Sequence, residues 1–138
     1  MSINFIKNIK IIMSENSKIQ VVIRKRPLNS KERQTNQEDI IEVVSNDTLH
    51  IREKKQKVDL TKFTEKHEFI FDNVFDESQD NDQIYETVLS PQIQRVFGGT
   101  KVTCFAYGQT GSGKTFTMMG DLRRDIDGLY QMATRDIY

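Results

Sequence analysis

The chain has 138 residues, and its 20 Lys and Arg side chains are balanced by 20 Asp and Glu side chains. That length is typical of one domain, and the balanced charge gives no general basic field of the kind that attracts nucleic acid. The single cysteine, Cys104, excludes a disulfide framework and a cysteine-based zinc cluster, and no apolar run approaches the ~20 residues that span a bilayer. We therefore expect neither a nucleic-acid partner nor membrane insertion.

Residues 1–17 are expected to be a disordered extension ahead of the domain. Lys7 and Lys10 interrupt their apolar stretch, so the segment lacks the unbroken core of a signal peptide. Met13 followed by Ser14 would serve equally well as a start. We therefore assign the folded domain to residues 18–138.

The first half of this domain is predicted to contain short strands. The β-branched run 19–26 predicts a strand that Pro27 ends, and the polar residues 28–38 predict a loop. Two further strands, 40–44 and 48–52, flank a turn at 45–47. A charged tip follows at 52–57, and another strand is predicted at 68–72.

The second half predicts helices around one apolar strand. Asp80 or Asn81 is a suitable N-cap for a helix that Pro91 should kink or break, and Gly98 with Gly99 should end it. The apolar run 102–107 predicts a central strand that is buried on both faces. A glycine-rich loop, a helix from Lys114 and an amphipathic stretch from Asp127 follow, which together indicate an α/β fold.

The glycine-rich loop carries the strongest functional motif in the chain, because residues 108–115 (GQTGSGKT) match the phosphate-binding pattern GxxxxGK[ST]. Glycines let the backbone approach phosphate closely, and the successive N–H groups form an anion-binding nest. Lys114 would reach the β- and γ-phosphates, and the Thr115 hydroxyl would bind Mg²⁺. The residues expected to contact nucleotide are Gly108, Gln109, Thr110, Gly111, Ser112, Gly113, Lys114 and Thr115. By itself the loop leaves a GTPase, a small-molecule kinase and a motor open.

A longer pattern around the loop narrows that choice. Residues 105–118 (FAYGQTGSGKTFTM) resemble the nucleotide loop of the kinesin motor domain, and residues 24–27 (RKRP) resemble its RxRP element. Residues 69–75 and the helix that follows are similar to the same family, so the resemblance covers residues 18–138. It implies an ATP-hydrolysing enzyme with Mg²⁺ as cofactor. It also implies that Pro27 and Phe116 sandwich adenine while Arg24 and Arg26 line the same pocket.

A second segment resembles one subfamily. Residues 57–63 (KVDLTKF) are similar to a loop of the internal-motor kinesins that depolymerise microtubules. The resemblance implies that Lys57, Val58 and Asp59 contact tubulin at microtubule ends. The implied location is the cytoplasm, on the microtubule cytoskeleton.

Two departures from the family pattern qualify this interpretation. Phe116 stands where the family usually has His, which keeps a stacking ring but loses the hydrogen-bonding imidazole. The family's switch motifs, of the NxxSSRSH and DLAGSE types, do not occur in the chain.

The resemblance implies a P-loop NTPase-type three-layer sandwich with a central, mostly parallel sheet, truncated at its C-terminal side. We assign no catalytic residue and expect the 138-residue chain to be inactive alone. The alternatives are a nucleotide-binding module without hydrolysis and a cargo-transporting kinesin.

The remaining polar residues suggest no further chemistry. His50 and His67 are interpreted as surface residues without a second ligand at metal-binding distance. Cys104 is expected to pack in the interior, and Asp72 and Asp76 are expected to have structural roles.

Overall fold

A computed structural model describes residues 6–13 and 19–138 of the chain, with side chains for Ile11 and for residues 19–138. The strands are β1 (Ile6–Met13), β2 (Ile19–Lys25), β3 (Ile41–Val43), β4 (Thr48–Gln56), β5 (Lys62–Ile70), β6 (Asn73–Phe75) and β7 (Val102–Tyr107). The α-helices are α1 (Ser30–Gln34), α2 (Asn81–Ile84), α3 (Ser90–Phe97), α4 (Lys114–Met119) and α5 (Leu129–Ile137). A π-helical turn, Tyr85–Leu89, joins α2 to α3, and a 3₁₀ turn, Leu122–Arg124, precedes α5.

The larger sheet has four strands in the order β6-β2-β1-β7. Strand β2 pairs with β6 in parallel, and β1 pairs antiparallel with both β2 and β7. Strands β6, β2 and β7 therefore run in one direction and β1 runs against them. Two of the three pairings in the described sheet are therefore antiparallel, because β1 lies between β2 and β7, and the sheet is less parallel than the sequence predicts.

Strand β1 corrects the expectation of a disordered extension. It lies inside the sheet, from Ile6 opposite Lys25 to Ile12 opposite Ile19, and it also pairs with the length of β7. The buried side chain of Ile11 belongs to the main core. The backbone groups on facing edges of β2 and β7 both need partners, and this β-branched segment supplies them. Positions 1–5 and 14–17 of the expected extension, and position 18 of the expected domain, lie outside the described residues.

The smaller sheet has the order β3-β4-β5, and its β4–β5 hairpin is longer than predicted. The nine residues of β4 pair with the nine of β5, from Thr48 opposite Ile70 to Gln56 opposite Lys62. The tip is thus 57–61 rather than 52–57, and the strand placed at 68–72 begins at Lys62. The alternation of apolar and polar residues that predicts a half-buried strand is missing from the outer half of this hairpin. Cross-strand ion pairs, rather than a buried apolar face, join the two strands there.

The helical segments follow the predicted caps. The Asp80 side chain accepts a hydrogen bond from the Gln83 N–H, so the predicted N-cap is confirmed. The π-helical turn ends just before Pro91, which lies in the first turn of α3 and has no N–H for a helical hydrogen bond. The predicted interruption is therefore present. Helix α1 was missed within the polar loop, although Asn29 and Glu32 form a capping box.

Strand β7 forms as predicted, but its environment differs from the prediction. It is an edge strand of the described sheet, and its residues alternate between half-buried and exposed. Val102 and Cys104 pack against the core, whereas Phe105 and Tyr107 are exposed on the other face. The expectation of a central strand buried on both faces is wrong for this chain, since no described strand pairs with the free edge of β7.

Two apolar cores hold these layers together. The main core joins one face of the sheet to the helical layer through Ile11, Val22, Ile84, Val88 and Leu129. A second core lies between β2 and β6 and the smaller sheet, and contains Ile23, Val74, Ile41, Leu49 and Ile51. Among the described residues, no helix is both long enough and apolar enough to cross a bilayer.

Candidate nucleotide-binding site

The phosphate-binding motif forms a loop between β7 and α4. Gly111 and Gly113 have φ values of +82° and +93°, a region that side-chain-bearing residues rarely adopt. A Cβ atom added to either glycine would meet nothing within 4 Å, so the space over the loop is open. The loop thus has the backbone geometry and the free volume that an anion nest requires.

Lys114 spans the loop from the first turn of α4. Its Nζ donates hydrogen bonds to the carbonyl oxygens of Gly108 (2.6 Å) and Gln109 (2.8 Å). These bonds hold the ammonium group at the loop rather than in bulk solvent. Thr115, the predicted Mg²⁺ ligand, is exposed beside it.

A small groove adjoins the loop on the side of β2. It has a volume of about 50 Å³, and Arg24, Arg26, Pro27, Ser112 and Phe116 line it. The structure therefore brings the four residues predicted for the adenine pocket together beside the phosphate loop. The volume is far below the ~300 Å³ of a small-molecule pocket, so a base would lie mostly outside the groove, against its walls.

Ser112 gives an independent sign that the groove suits a ligand. Its side chain is fully buried, and its Oγ has no hydrogen-bond partner. A buried hydroxyl without a partner is costly, and a polar ligand or a water molecule at the groove would supply one. Together with the open glycine cradle, this unpaired hydroxyl fits a phosphate-bearing ligand.

Arg24 is anchored beneath the groove. Its Nη1 donates to Asn81 Oδ1 (2.5 Å) and Thr117 Oγ1 (2.6 Å), and its Nη2 donates to the Gln79 carbonyl (2.9 Å). The guanidinium also lies 5.4 Å from the centre of the Phe116 ring. Burial lowers the Arg24 pKa, and the nearby Asp80 carboxylate opposes that shift. Arg24 thus forms part of the groove wall and also lies against the Phe116 ring.

Arg26 is fixed by a carboxylate that sequence analysis did not identify. Its Nη1 and Nη2 donate to the two carboxylate oxygens of Glu32, at 2.7 and 2.6 Å. This pairing with Arg26, opposed by partial desolvation and assisted by the Asn29 N–H, lowers the Glu32 pKa. Glu32 therefore holds the guanidinium at the rim of the groove, next to Pro27. The capping-box spacing from Asn29 to Glu32 is the signal that could have identified it.

The predicted tubulin-contacting residues lie apart from this groove, at the tip of the β4–β5 hairpin. Val58 is fully exposed, and Lys57 Nζ lies 5.8 Å from the centre of the Phe63 ring. Asp59 Oδ1 accepts a hydrogen bond from the Thr61 N–H at 3.0 Å, which shapes the turn. The tip therefore presents a cation, an apolar side chain and a carboxylate on a short, ordered turn.

The stem of the same hairpin corrects the interpretation of both histidines. His50 is buried, and its Nε2 lies 3.0 Å from Glu68 Oε2. His67 Nε2 lies 3.1 Å from Glu53 Oε2, and possible ligand atoms of Glu53, Glu65 and His67 lie within 4.8 Å of one another. Lys55 already pairs with both carboxylates and lowers the Glu53 pKa. We therefore interpret this cluster as an ion-pair network that joins β4 to β5.

A larger cleft of about 520 Å³ lies beside the groove and shares Lys25 and Glu77 with it. Lys25 Nζ is held there by Asp39 Oδ2 (2.6 Å) and Glu77 Oε2 (3.0 Å). None of the residues that line the cleft belongs to the glycine-rich loop or carries an aromatic ring. The cleft therefore has neither a glycine nest around phosphate nor a ring on which a base could stack, and its Lys25 is already paired with two carboxylates.

The strand, glycine-rich loop, lysine and following helix define the class of P-loop nucleotide-binding proteins. Within that class, the family model of the kinesin motor domain matches residues 24–138. The chain belongs to the kinesin motor-domain family, as residues 24–27 and 105–118 predict.

Two curated relatives give the subfamily. The chain is 49% identical over 122 residues to kinesin-like protein KIN-13A of Oryza sativa subsp. japonica, which covers 88% of this chain. It is 54% identical over 106 residues to kinesin-like protein KIN-13B of Arabidopsis thaliana, which covers 77% of this chain. The predicted resemblance to the internal-motor subfamily, to which KIN-13 proteins belong, is confirmed. The chain spans 15% of the length of each relative.

The fold also matches a solved structure, that of a fast kinesin described with implications for its ATPase mechanism and its interactions with microtubules. The TM-score is 0.65 at 26% identity, over 83% of this chain and 30% of the kinesin chain. The predicted P-loop type of α/β fold is therefore confirmed, for part of such a domain.

Proposed function

We propose that this chain is the nucleotide-binding part of an ATP-driven, microtubule-depolymerising kinesin. The observation that carries the proposal is the position of the Pro27 and Phe116 groove directly beside the Lys114 loop. A base in that groove and a triphosphate on that loop would belong to one ligand. Family membership and the two KIN-13 relatives support the same ligand.

The phosphates would be held by the loop. Backbone N–H groups of residues 108–113 would surround them, and Lys114 would exchange its two carbonyl partners for phosphate oxygens. Thr115 would hold Mg²⁺ through its hydroxyl, and the bound ion would neutralise phosphate charge. The Ser112 hydroxyl is available to a polar ligand atom or a bridging water.

The base would be recognised mainly by stacking. Pro27 and Phe116 offer two apolar surfaces, and Arg24 supports the Phe116 ring from beneath. Phe116 lacks the imidazole nitrogen usual at this position in the family, so hydrogen-bond readout of the base should be weak here. We therefore expect a preference for adenine that rests on stacking and on the shape of the rim that Arg26 and Glu32 fix.

The partner would be tubulin, and the place of action the microtubule cytoskeleton. The KIN-13 relatives and the exposed Lys57, Val58 and Asp59 at the hairpin tip support this part of the proposal. Hydrolysis would require groups beyond those described here, since a positioned water and charge stabilisation of the transferring phosphoryl group are needed. The second candidate is a nucleotide-binding module without hydrolysis, since the described loop and groove account for binding alone.

The test uses a complete motor domain that contains these 138 residues. Its Mg²⁺-ATP affinity, ATPase rate and release of tubulin from stabilised microtubules would be measured together. The proposal predicts ATP binding, and tubulin release at filament ends with ATP but not with a non-hydrolysable analogue. Movement along the lattice without shortening would support the cargo-transporting alternative. Binding without turnover would support the module without hydrolysis.

A further inference from the structure

A buried asparagine lies behind the base groove and contacts three parts of the chain. Asn81, at the start of α2, is 1% exposed. Its Oδ1 accepts from Arg24 Nη1 at 2.5 Å, and its Nδ2 donates to the carbonyl oxygens of Phe116 (3.1 Å) and Asp127 (2.7 Å). One side chain thus joins β2, α4 and the segment that leads into α5.

These contacts require an amide rather than any polar side chain. Asn81 must accept from a guanidinium and donate to two carbonyl oxygens in a space without solvent, and a carboxamide has both kinds of group. An aspartate of the same shape would keep the bond to Arg24 but would place an oxygen against two carbonyls. The Asp127 carbonyl would then lose its donor, and the Phe116 carbonyl would keep only the Gly120 N–H.

The groups that Asn81 holds belong to the base groove. The Phe116 backbone carries one stacking surface, and Arg24 lies under the same ring while also donating to Thr117 Oγ1 at 2.6 Å. Lys114, by contrast, is held by the loop's own carbonyl oxygens at Gly108 and Gln109. Asn81 is therefore connected to the base side of the site by direct contacts, and to the phosphate side only through the helix.

We propose that Asn81 is a positioning residue for base recognition: it fixes the Phe116 backbone and the Arg24 guanidinium so that the ring presents a defined face to the nucleobase. The proposal rests on the proposed function, because it needs a nucleobase in the groove. It separates recognition of the base from recognition of the phosphates, and it makes Asn81 a determinant of selectivity without any contact to the ligand.

Two variants of unchanged shape test it in the complete motor domain. Asn81→Asp removes both donors, and Thr117→Val removes the second acceptor of Arg24 while leaving every Asn81 bond in place. Thr117→Ser keeps the hydroxyl and should behave like the parent. Asp82→Asn, at the exposed neighbouring position in α2, is the matched control.

Calorimetric titrations with Mg²⁺-ATP, Mg²⁺-GTP and Mg²⁺-tripolyphosphate supply the readout. Both variants should weaken the affinity for ATP about tenfold, reduce the difference in affinity between ATP and GTP, and leave the affinity for tripolyphosphate within about twofold of the parent.

An equal loss of affinity for ATP and for tripolyphosphate would show a general structural role and overturn the proposal, as would an unchanged affinity for ATP. If circular dichroism shows that Asn81→Asp is unfolded, Asn81→Ala, which removes both donors without placing a carboxylate in the site, decides by the same criteria. If the parent binds neither ATP nor tripolyphosphate, the proposed function fails and this inference fails with it. If the parent binds both equally tightly, the phosphate loop is supported, but the base groove and this inference fail.

Discussion

At the residue scale, the phosphate loop depends on one cation. Lys114 is held between two loop carbonyls, where it is ready to pair with phosphate oxygens. Lys114→Ala in the complete motor domain should remove charge-assisted hydrogen bonds worth about 3 kcal/mol, which corresponds to more than a hundredfold in affinity for Mg²⁺-ATP. Calorimetry measures this directly, with Lys66→Ala on the exposed hairpin stem as the control. An unchanged affinity would contradict the assignment of the loop.

Glu32 gives a prediction about pH. Its pKa is lowered in the folded protein, chiefly by the hydrogen bonds from Arg26, so the pair stabilises the fold above the ordinary Glu value of 4.5. That stability is lost as the pH falls through the lowered folded-state pKa. Glu32→Gln should cost about 2 kcal/mol in free energy of unfolding at neutral pH, and the difference from the parent should shrink below pH 4.5. Denaturant titrations across this range test it, with the exposed Glu86→Gln as control. A difference that does not change with pH would refute the role of the charged pair.

Local and distant residues differ in how far the sequence reveals them. The loop could be predicted entirely, because residues 108–115 are contiguous and their spacing follows from phosphate geometry. The partners of Arg24 could not, since Asn81 and Thr117 lie 57 and 93 residues away and no local pattern links them. Glu32 is an intermediate case, because its capping box is local but its bond to Arg26 appears only in the folded chain.

At the scale of elements, the outer end of the β4–β5 hairpin is exposed at every position from 56 to 64. Its tip carries Lys57, Val58 and Asp59 and makes no contribution to the base groove. Replacing the three with alanine in the complete motor domain should abolish tubulin release from microtubule ends and leave Mg²⁺-ATP affinity unchanged. Thr64→Ala with Lys66→Ala on the stem is the matched control. Normal depolymerisation by the tip variant would exclude this turn as the tubulin contact.

The elements also show where sequence patterns fail. The interrupted helix around Pro91 was predictable because proline and capping residues act locally. The β4–β5 ribbon was predicted too short because ion pairs between its strands replace the apolar alternation on which strand prediction depends. Strand β1 was missed for another reason: its place is fixed by the facing edges of β2 and β7, which are distant in sequence.

At the scale of the whole molecule, the described chain leaves apolar surface uncovered. Phe105 and Tyr107 are exposed on β7, and no described strand pairs with the free edge of that strand. An exposed apolar strand edge promotes aggregation. We predict that the 138-residue chain alone aggregates at concentrations at which a complete motor domain stays monodisperse. Size-exclusion chromatography with light scattering measures this, and a monodisperse short chain would contradict it.

The sequence predicts the fold class of the whole molecule but not the position of each strand in its sheet. The sequence indicates the fold class because strand, loop and helix follow one another around the P-loop. It does not indicate that β7 lies at an edge, because the position of a strand in a sheet depends on which partners are present. This chain supplies 30% of the length of the fast kinesin structure that it matches.

We propose above that these residues form the nucleotide-binding part of a microtubule-directed ATPase. The most direct test compares ATPase rates with and without microtubules for the 138-residue chain and for a complete motor domain that contains it. We expect microtubules to accelerate turnover by the complete domain and to have no effect on the short chain, which holds the loop but not the switch motifs. A complete domain that microtubules do not accelerate, or a short chain that they do, would contradict it.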